Sequence, residues 1–123
     1  MMQPHHSVGE SRLAYVDLVE TFNYLLGLRV KHIDSIRGFT VVQGINPSGE
    51  KTLIIWRNVH EKSSSDLDDF FVKQKYNTRD MEFDLIYVNG DNNLENLKRP
   101  DETWKVRLID EEFKRLMFDV QDV

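Results

Sequence analysis

A chain of 123 residues that is 40% hydrophobic, 11% aromatic and 30% charged has the make-up of one globular domain, not of a disordered or collagen-like chain. It contains no cysteine, which excludes disulfides, thiol catalysis and cysteine-ligated zinc. Sixteen Lys and Arg against 21 Asp and Glu leave a net charge of −5, which argues against sequence-blind DNA binding as the main task, because such binding rests on neutralising phosphates.

The apolar runs, near Leu25–Leu28 and Leu53–Trp56, fall far short of the roughly 18 to 20 residues of a membrane span. Met1-Met2-Gln3-Pro4-His5-His6 has no basic stretch followed by an apolar one, so no signal peptide is expected and the expected location is cytoplasmic. Residues 1–10 lack periodicity and carry Pro and Gly, as a flexible lead-in does, whether native or appended. The adjacent His5 and His6 belong to that lead-in; two neighbouring imidazoles cannot close a tetrahedral metal site.

From Ser11 onward a single domain over 11–123 is expected. Tyr15, Leu18, Val19, Phe22, Leu25 and Leu26 recur at the spacing of one helix face, with Ser11 placed to cap the start and Gly27 to end it. Leu13, Val16, Tyr24 and Leu28 fall off that stripe. Either the helix is sandwiched inside the domain, or Leu13, Val16 and Tyr24 form a surface for a partner.

Three strand-like segments follow. Val30–Ile36 has Val30, Ile33 and Ile36 out of strict alternation, which predicts a bulge or bend. Phe39–Ile45 alternates, with Gly38 as a tight link before it, and Asn46-Pro47-Ser48-Gly49 is a turn in which Pro presets its angle and Gly accepts a positive one. Thr52–Trp56 is almost continuously apolar, as expected of a central strand covered on both faces. These three form an antiparallel meander.

Ser63-Ser64-Ser65 followed by Asp66, Asp68 and Asp69 marks a helix start, with hydroxyls to cap free amides and carboxylates at the positive end of the dipole. Leu67, Phe70 and Phe71 supply its buried side. Glu82–Val88 then reads as a strand reached by a parallel crossover, closed by Asn89-Gly90-Asp91-Asn92-Asn93. Trp104–Leu108 alternates as a further strand, and Asp110-Glu111-Glu112 opens a last helix bearing Phe113, Leu116 and Met117. The expected fold is one α+β domain with a mixed sheet.

Helix, three strands, helix, strand is also the core order of restriction-endonuclease-like nucleases. Those enzymes need an acidic residue on the second strand and Glu/Asp-x-Lys on the third, to hold Mg²⁺ and orient a water. The third strand here is apolar at that place, and Glu50-Lys51 is adjacent and lies in the turn. Neither G-x-G-x-x-G, G-x-x-x-x-G-K-S/T nor G-x-S-x-G occurs. His32 and His60 stand singly, and Asp84 and Asp91 flank a strand end where turn chemistry already explains Asn-Gly-Asp. Arg29, Lys31, His32 and Arg37 make a basic patch: either a charge-defended strand edge or, through Arg29, Lys31 and Arg37, a grip on a DNA backbone.

Four blocks carry a resemblance. Glu20-Thr21-Phe22-Asn23-Tyr24-Leu25-Leu26-Gly27-Leu28-Arg29-Val30, Leu53-Ile54-Ile55-Trp56-Arg57, Tyr87-Val88-Asn89-Gly90-Asp91 and Glu112-Phe113-Lys114-Arg115-Leu116-Met117-Phe118 occur in order over about residues 12–118. The set resembles the C-terminal region of Mod-type, adenine-specific DNA methyltransferase subunits of bacterial type III restriction–modification systems. The D-P-P-[YF] motif and the F-x-G-x-G loop of those enzymes are not in this sequence, and no catalytic, cofactor or metal residue carries over. The resemblance therefore implies a non-catalytic tail domain in DNA methylation and restriction. S-adenosylmethionine would belong to the methyltransferase core, and the implied partners are that core, a second Mod subunit or the restriction subunit, with DNA reached through the whole complex and no membrane. The alternatives are a DNA-backbone-contacting accessory domain and a degenerate restriction-endonuclease-like nuclease.

Overall fold

The computed structural model describes residues 17–79 and 81–121, with side chains to Phe118. The expected cap Ser11, the His5–His6 pair, and Leu13, Tyr15 and Val16 lie outside the described residues. Helix α1 covers 17–26. There follow β1 (Arg29–Ile36), β2 (Phe39–Ile45), β3 (Lys51–Arg57), α2 (Ser64–Gln74), β4 (Leu85–Val88), β5 (Val106–Leu108) and α3 (Ile109–Gln121). The sheet runs in the order β1-β2-β3-β4-β5; β1, β2 and β3 are antiparallel neighbours, while β3, β4 and β5 run parallel. The α+β layout with a mixed sheet and β3 at its centre is the one the pattern predicts.

Alternation along the strands divides the core in two. Phe39, Val41, Leu53, Ile55, Ile86 and Val88 pack with Leu67, Phe70 and Phe71 of α2 on one face. Val42, Ile54, Trp56, Leu85 and Tyr87 pack with Val19 and Phe22 of α1 and Ile109 of α3 on the other. β3 feeds both layers, which is why its run is apolar on both sides. On the α1/α3 side Phe22 stacks on Phe113, with centroids 5.6 Å apart, and meets Trp56 and Tyr87 edge-on.

Three local readings shift. The buried side of α1 is Val19, Phe22, Asn23 and Leu26; Leu18, expected on it, is exposed. The helix is rotated by about one position, because Phe22 must wedge between the sheet and α3. β4 starts at Leu85 rather than Glu82, since Asp84 is engaged at the head of β3: its N–H donates to the Lys51 carbonyl at 2.8 Å and its carboxylate accepts from the Lys51 N–H at 2.9 Å. β5 starts at Val106, and Trp104 sits before it in an isolated bridge to Lys98.

The irregular first strand has its cause in a bulge: pairing slips between Val30 and His32, leaving Lys31 as the extra residue. Asn46 holds the β2–β3 turn, its carboxamide oxygen accepting from the N–H of Glu50 at 2.8 Å. The α2 cap is a reciprocal box, in which Ser63 Oγ accepts from the Asp66 N–H at 3.2 Å and Asp66 Oδ2 accepts from the Ser63 N–H at 2.8 Å.

Candidate functional site

In a sheet with parallel strands, ligand chemistry gathers at the strands' carboxyl ends. Here that end is built by Arg57 closing β3, Asn89-Gly90-Asp91 following β4, the start of α2, and Asp110 at the start of α3. Two of the four resemblance blocks therefore meet in space. The Asn89 carboxamide accepts from the Arg57 N–H at 2.9 Å and donates to the Arg57 carbonyl at 2.7 Å, so one side chain stands in for the next rung between β3 and β4. The Arg57 guanidinium is buried, with 4% of the residue exposed; it donates to the Asp91 carbonyl and, at 3.4 Å, to the Ser63 carbonyl. Ser64 Oγ donates to the same Asp91 carbonyl at 2.9 Å. Burial pulls the Arg57 guanidinium below its ordinary pKa, and the charges of Asp91, Asp68 and Asp66 push back.

Gly90 is required at this junction. Its φ is +75°, and a Cβ there would lie 2.8 Å from Val59 Cγ1 and 2.9 Å from Arg57 Nη2. Its N–H donates to Asp110 at 3.2 Å, joining α3 to the cluster. These groups bond one another and the backbone. The cluster ties the loops after β3 and β4 to the start of α3.

A cavity of about 600 Å³ lies elsewhere, between the β5 edge and the start of α3, and is lined by Asn96, Trp104, Arg107, Glu111 and Glu112 among others. Trp104 is 51% exposed there, with the Lys98 ammonium 5.2 Å from its ring centre. Asn96 repeats the device of Asn89: it accepts from the Val106 N–H at 2.8 Å and donates to the Val106 carbonyl at 2.7 Å.

The residues singled out by sequence are dispersed. Tyr24 projects from α1, 83% exposed, and Leu13 and Val16 lie outside the described residues. Arg29 opens β1, Lys31 is its bulge residue, and Arg37 occupies the turn after it with φ 52°, so Arg29 and Arg37 are about 25 Å apart by strand rise. His32 and His60 are exposed. Asp84 holds Lys51, and Asp91 serves the cluster through its carbonyl. β2 and β3 carry no carboxylate, so the two acids that a restriction-endonuclease-like centre needs are not on these strands. Among the described residues, no group of three or more His, Asp or Glu is arranged to hold a metal ion.

Sequence reasoning missed the Arg57–Asn89 contact and the Asn96 contact. The available signal was chemical: Arg57 and Asn89 each directly follow an apolar strand run, where a polar side chain starts out half-buried. Among the described residues, no helix is long and apolar enough to cross a membrane. The chain matches no protein-family model, no curated protein and no solved structure with which it was compared.

Proposed function

We propose that this chain is a non-catalytic C-terminal domain of a Mod-type, adenine-specific DNA methyltransferase subunit of a type III restriction–modification system, acting in subunit assembly or docking. The observation that carries the reading is the ordered set of four resemblance blocks. Two further features support it. In the middle blocks the Arg57 guanidinium, the Asn89 carboxamide and the Asp91 carbonyl tie loops together. The outer blocks fall on α1 and α3, which share one face of the sheet, and there Leu18, Tyr24, Met117 and Phe118 remain exposed. Exposed apolar side chains on a shared helix layer suit burial against another protein surface.

On this reading the domain works in the cytoplasm, and S-adenosylmethionine is held by the methyltransferase core. Co-expression with a Mod subunit truncated before its C-terminal region tests it. The chain should co-purify with the truncated subunit, and Tyr24→Asp combined with Phe118→Asp should reduce recovery at least about tenfold while circular dichroism stays unchanged. Loss of about 1.4 kcal/mol of binding corresponds to that factor. A wild-type chain that fails to co-purify overturns the proposal.

A further inference from the structure

The two edges of the sheet differ. At β5 the outward N–H and carbonyl of Val106 are already taken by Asn96. At the other edge lies β1, exposed at seven of its eight positions, and among the described residues its backbone on that side has no strand neighbour. Such an edge is a template for another strand.

Register fixes which side chains each face of β1 offers. Ile33 pairs with Val42, so it points to the α1/α3 face; His32 and Asp34 pair with Gln43 and Val41, so they point to the α2 face. Ile33 is 52% exposed, and the Lys31 bulge confines regular outward pairing to the part of the strand after it.

We infer that β1 is a self-complementary edge that pairs antiparallel with β1 of a second copy of this chain, about a two-fold axis at Ile33. That axis, perpendicular to the sheet, keeps each face continuous. On the α1/α3 face Ile33 lies beside Ile33 of the second copy. On the α2 face His32 opposes Asp34 of the second copy, and Asp34 opposes its His32. Centring the axis on His32 or on Asp34 sets two imidazoles or two carboxylates against each other, so the charge pattern favours the Ile33 register. The axis also closes the assembly. Each copy contributes its β1 edge, Asn96 occupies the outward Val106 groups at the far edge, and the bulges end the pairing on both sides, so the product is a dimer and not a fibre. An interface of a few strand residues is small, and it belongs to the weak, concentration-dependent class.

Sedimentation of the whole chain from about 10 μM to about 1 mM tests this, that range being where weak contacts populate. The expected result is a monomer–dimer equilibrium that Asp34→Lys weakens at least tenfold, by setting Lys against His32. The double exchange His32→Asp with Asp34→His restores the complementary pairs and should restore the dimer. A wild-type chain that is monomeric throughout overturns the inference. So does an Asp34→Lys variant that dimerises as well as the wild type, which would move the contact to the α1/α3 layer, or a folded double-exchange variant that stays monomeric. The result is independent of co-purification with a methyltransferase core, since neither helix layer takes part in the β1 contact.

Discussion

Asn89 shows how one side chain can serve as a piece of strand. The β3–β4 ladder ends with Ile55 beside Val88, yet Arg57 lies further along β3, in the buried interior, and its N–H and carbonyl need partners. An amide side chain has the same donor and acceptor spacing as a peptide, so Asn89 meets both. Removing it leaves two backbone groups unpaired in a partly dry place, and an unmade bond of this kind costs about 1–3 kcal/mol. Asn89→Ala should therefore destabilise the domain by about 2 kcal/mol in urea unfolding, and Asn89→Asp should not restore it, because an ionised carboxylate cannot donate to the Arg57 carbonyl. Asn96→Ala removes the matching pair of bonds at the open margin of β5, where water can replace the amide, and should cost less, about 1 kcal/mol. Equal losses at the two sites would mean that position in the sheet does not govern the cost.

At the scale of elements, the start of α2 was legible as a serine run ahead of acidic residues, while the choice of Ser63 and its reciprocal bond with Asp66 came from the structure. A serine followed three residues later by an acidic residue is the pattern of a reciprocal cap, and both bonds form. Ser63→Ala should cost about 1 kcal/mol. The cap also sets a pH dependence. The hydrogen bond from the Ser63 N–H, followed by that from its hydroxyl, lowers the Asp66 pKa below its ordinary value of 3.8. Asp66 thus binds its proton more weakly folded than unfolded. Its contribution is complete above the ordinary value and disappears as pH falls through the lower folded one. Asp66→Asn should flatten the loss of stability between pH 5 and pH 2 relative to wild type; an unchanged acid limb in thermal unfolding would show that the box does not hold the carboxylate.

Other elements were legible for equally local reasons. Pro47 and Gly49 announce their turn, and the run from Leu53 to Trp56 announces a strand covered twice. What stayed hidden depends on partners distant in sequence. The path from Asn89 to Lys105 has no periodicity, and it is held by bonds such as Asn96 to Val106 and a contact between Arg99 and Glu50 across the sheet end. The rotation of α1 is likewise invisible from its own stripe, since Phe22 is placed by Phe113 from the far end of the chain. The separation of Arg29 from Arg37 follows from the extended strand between them, which makes residues close in sequence distant in space.

For the whole molecule, the question is what the α1/α3 layer does on each of its sides. Inward, Phe22 is fully buried among Trp56, Tyr87 and Phe113, and it joins both helices to the sheet. Outward, Tyr24 is two residues further on and almost free, and Phe118 on α3 has 66% of its surface exposed. Aromatic residues on one layer thus divide into a set that folding consumes and a set that folding leaves over. Phe22→Ala should cost about 3–5 kcal/mol through the cavity it leaves, a large part of the roughly 5–15 kcal/mol that holds a domain together. Tyr24→Ser and Phe118→Ser should each change urea-unfolding stability by less than about 0.5 kcal/mol, because neither vacates buried space. If the outward pair serves docking, those same two substitutions lower co-purification with the methyltransferase core while the unfolding midpoint stands still. A loss of stability comparable to that of Phe22→Ala would instead assign the pair to the domain's own core, and the docking surface would have to be sought elsewhere.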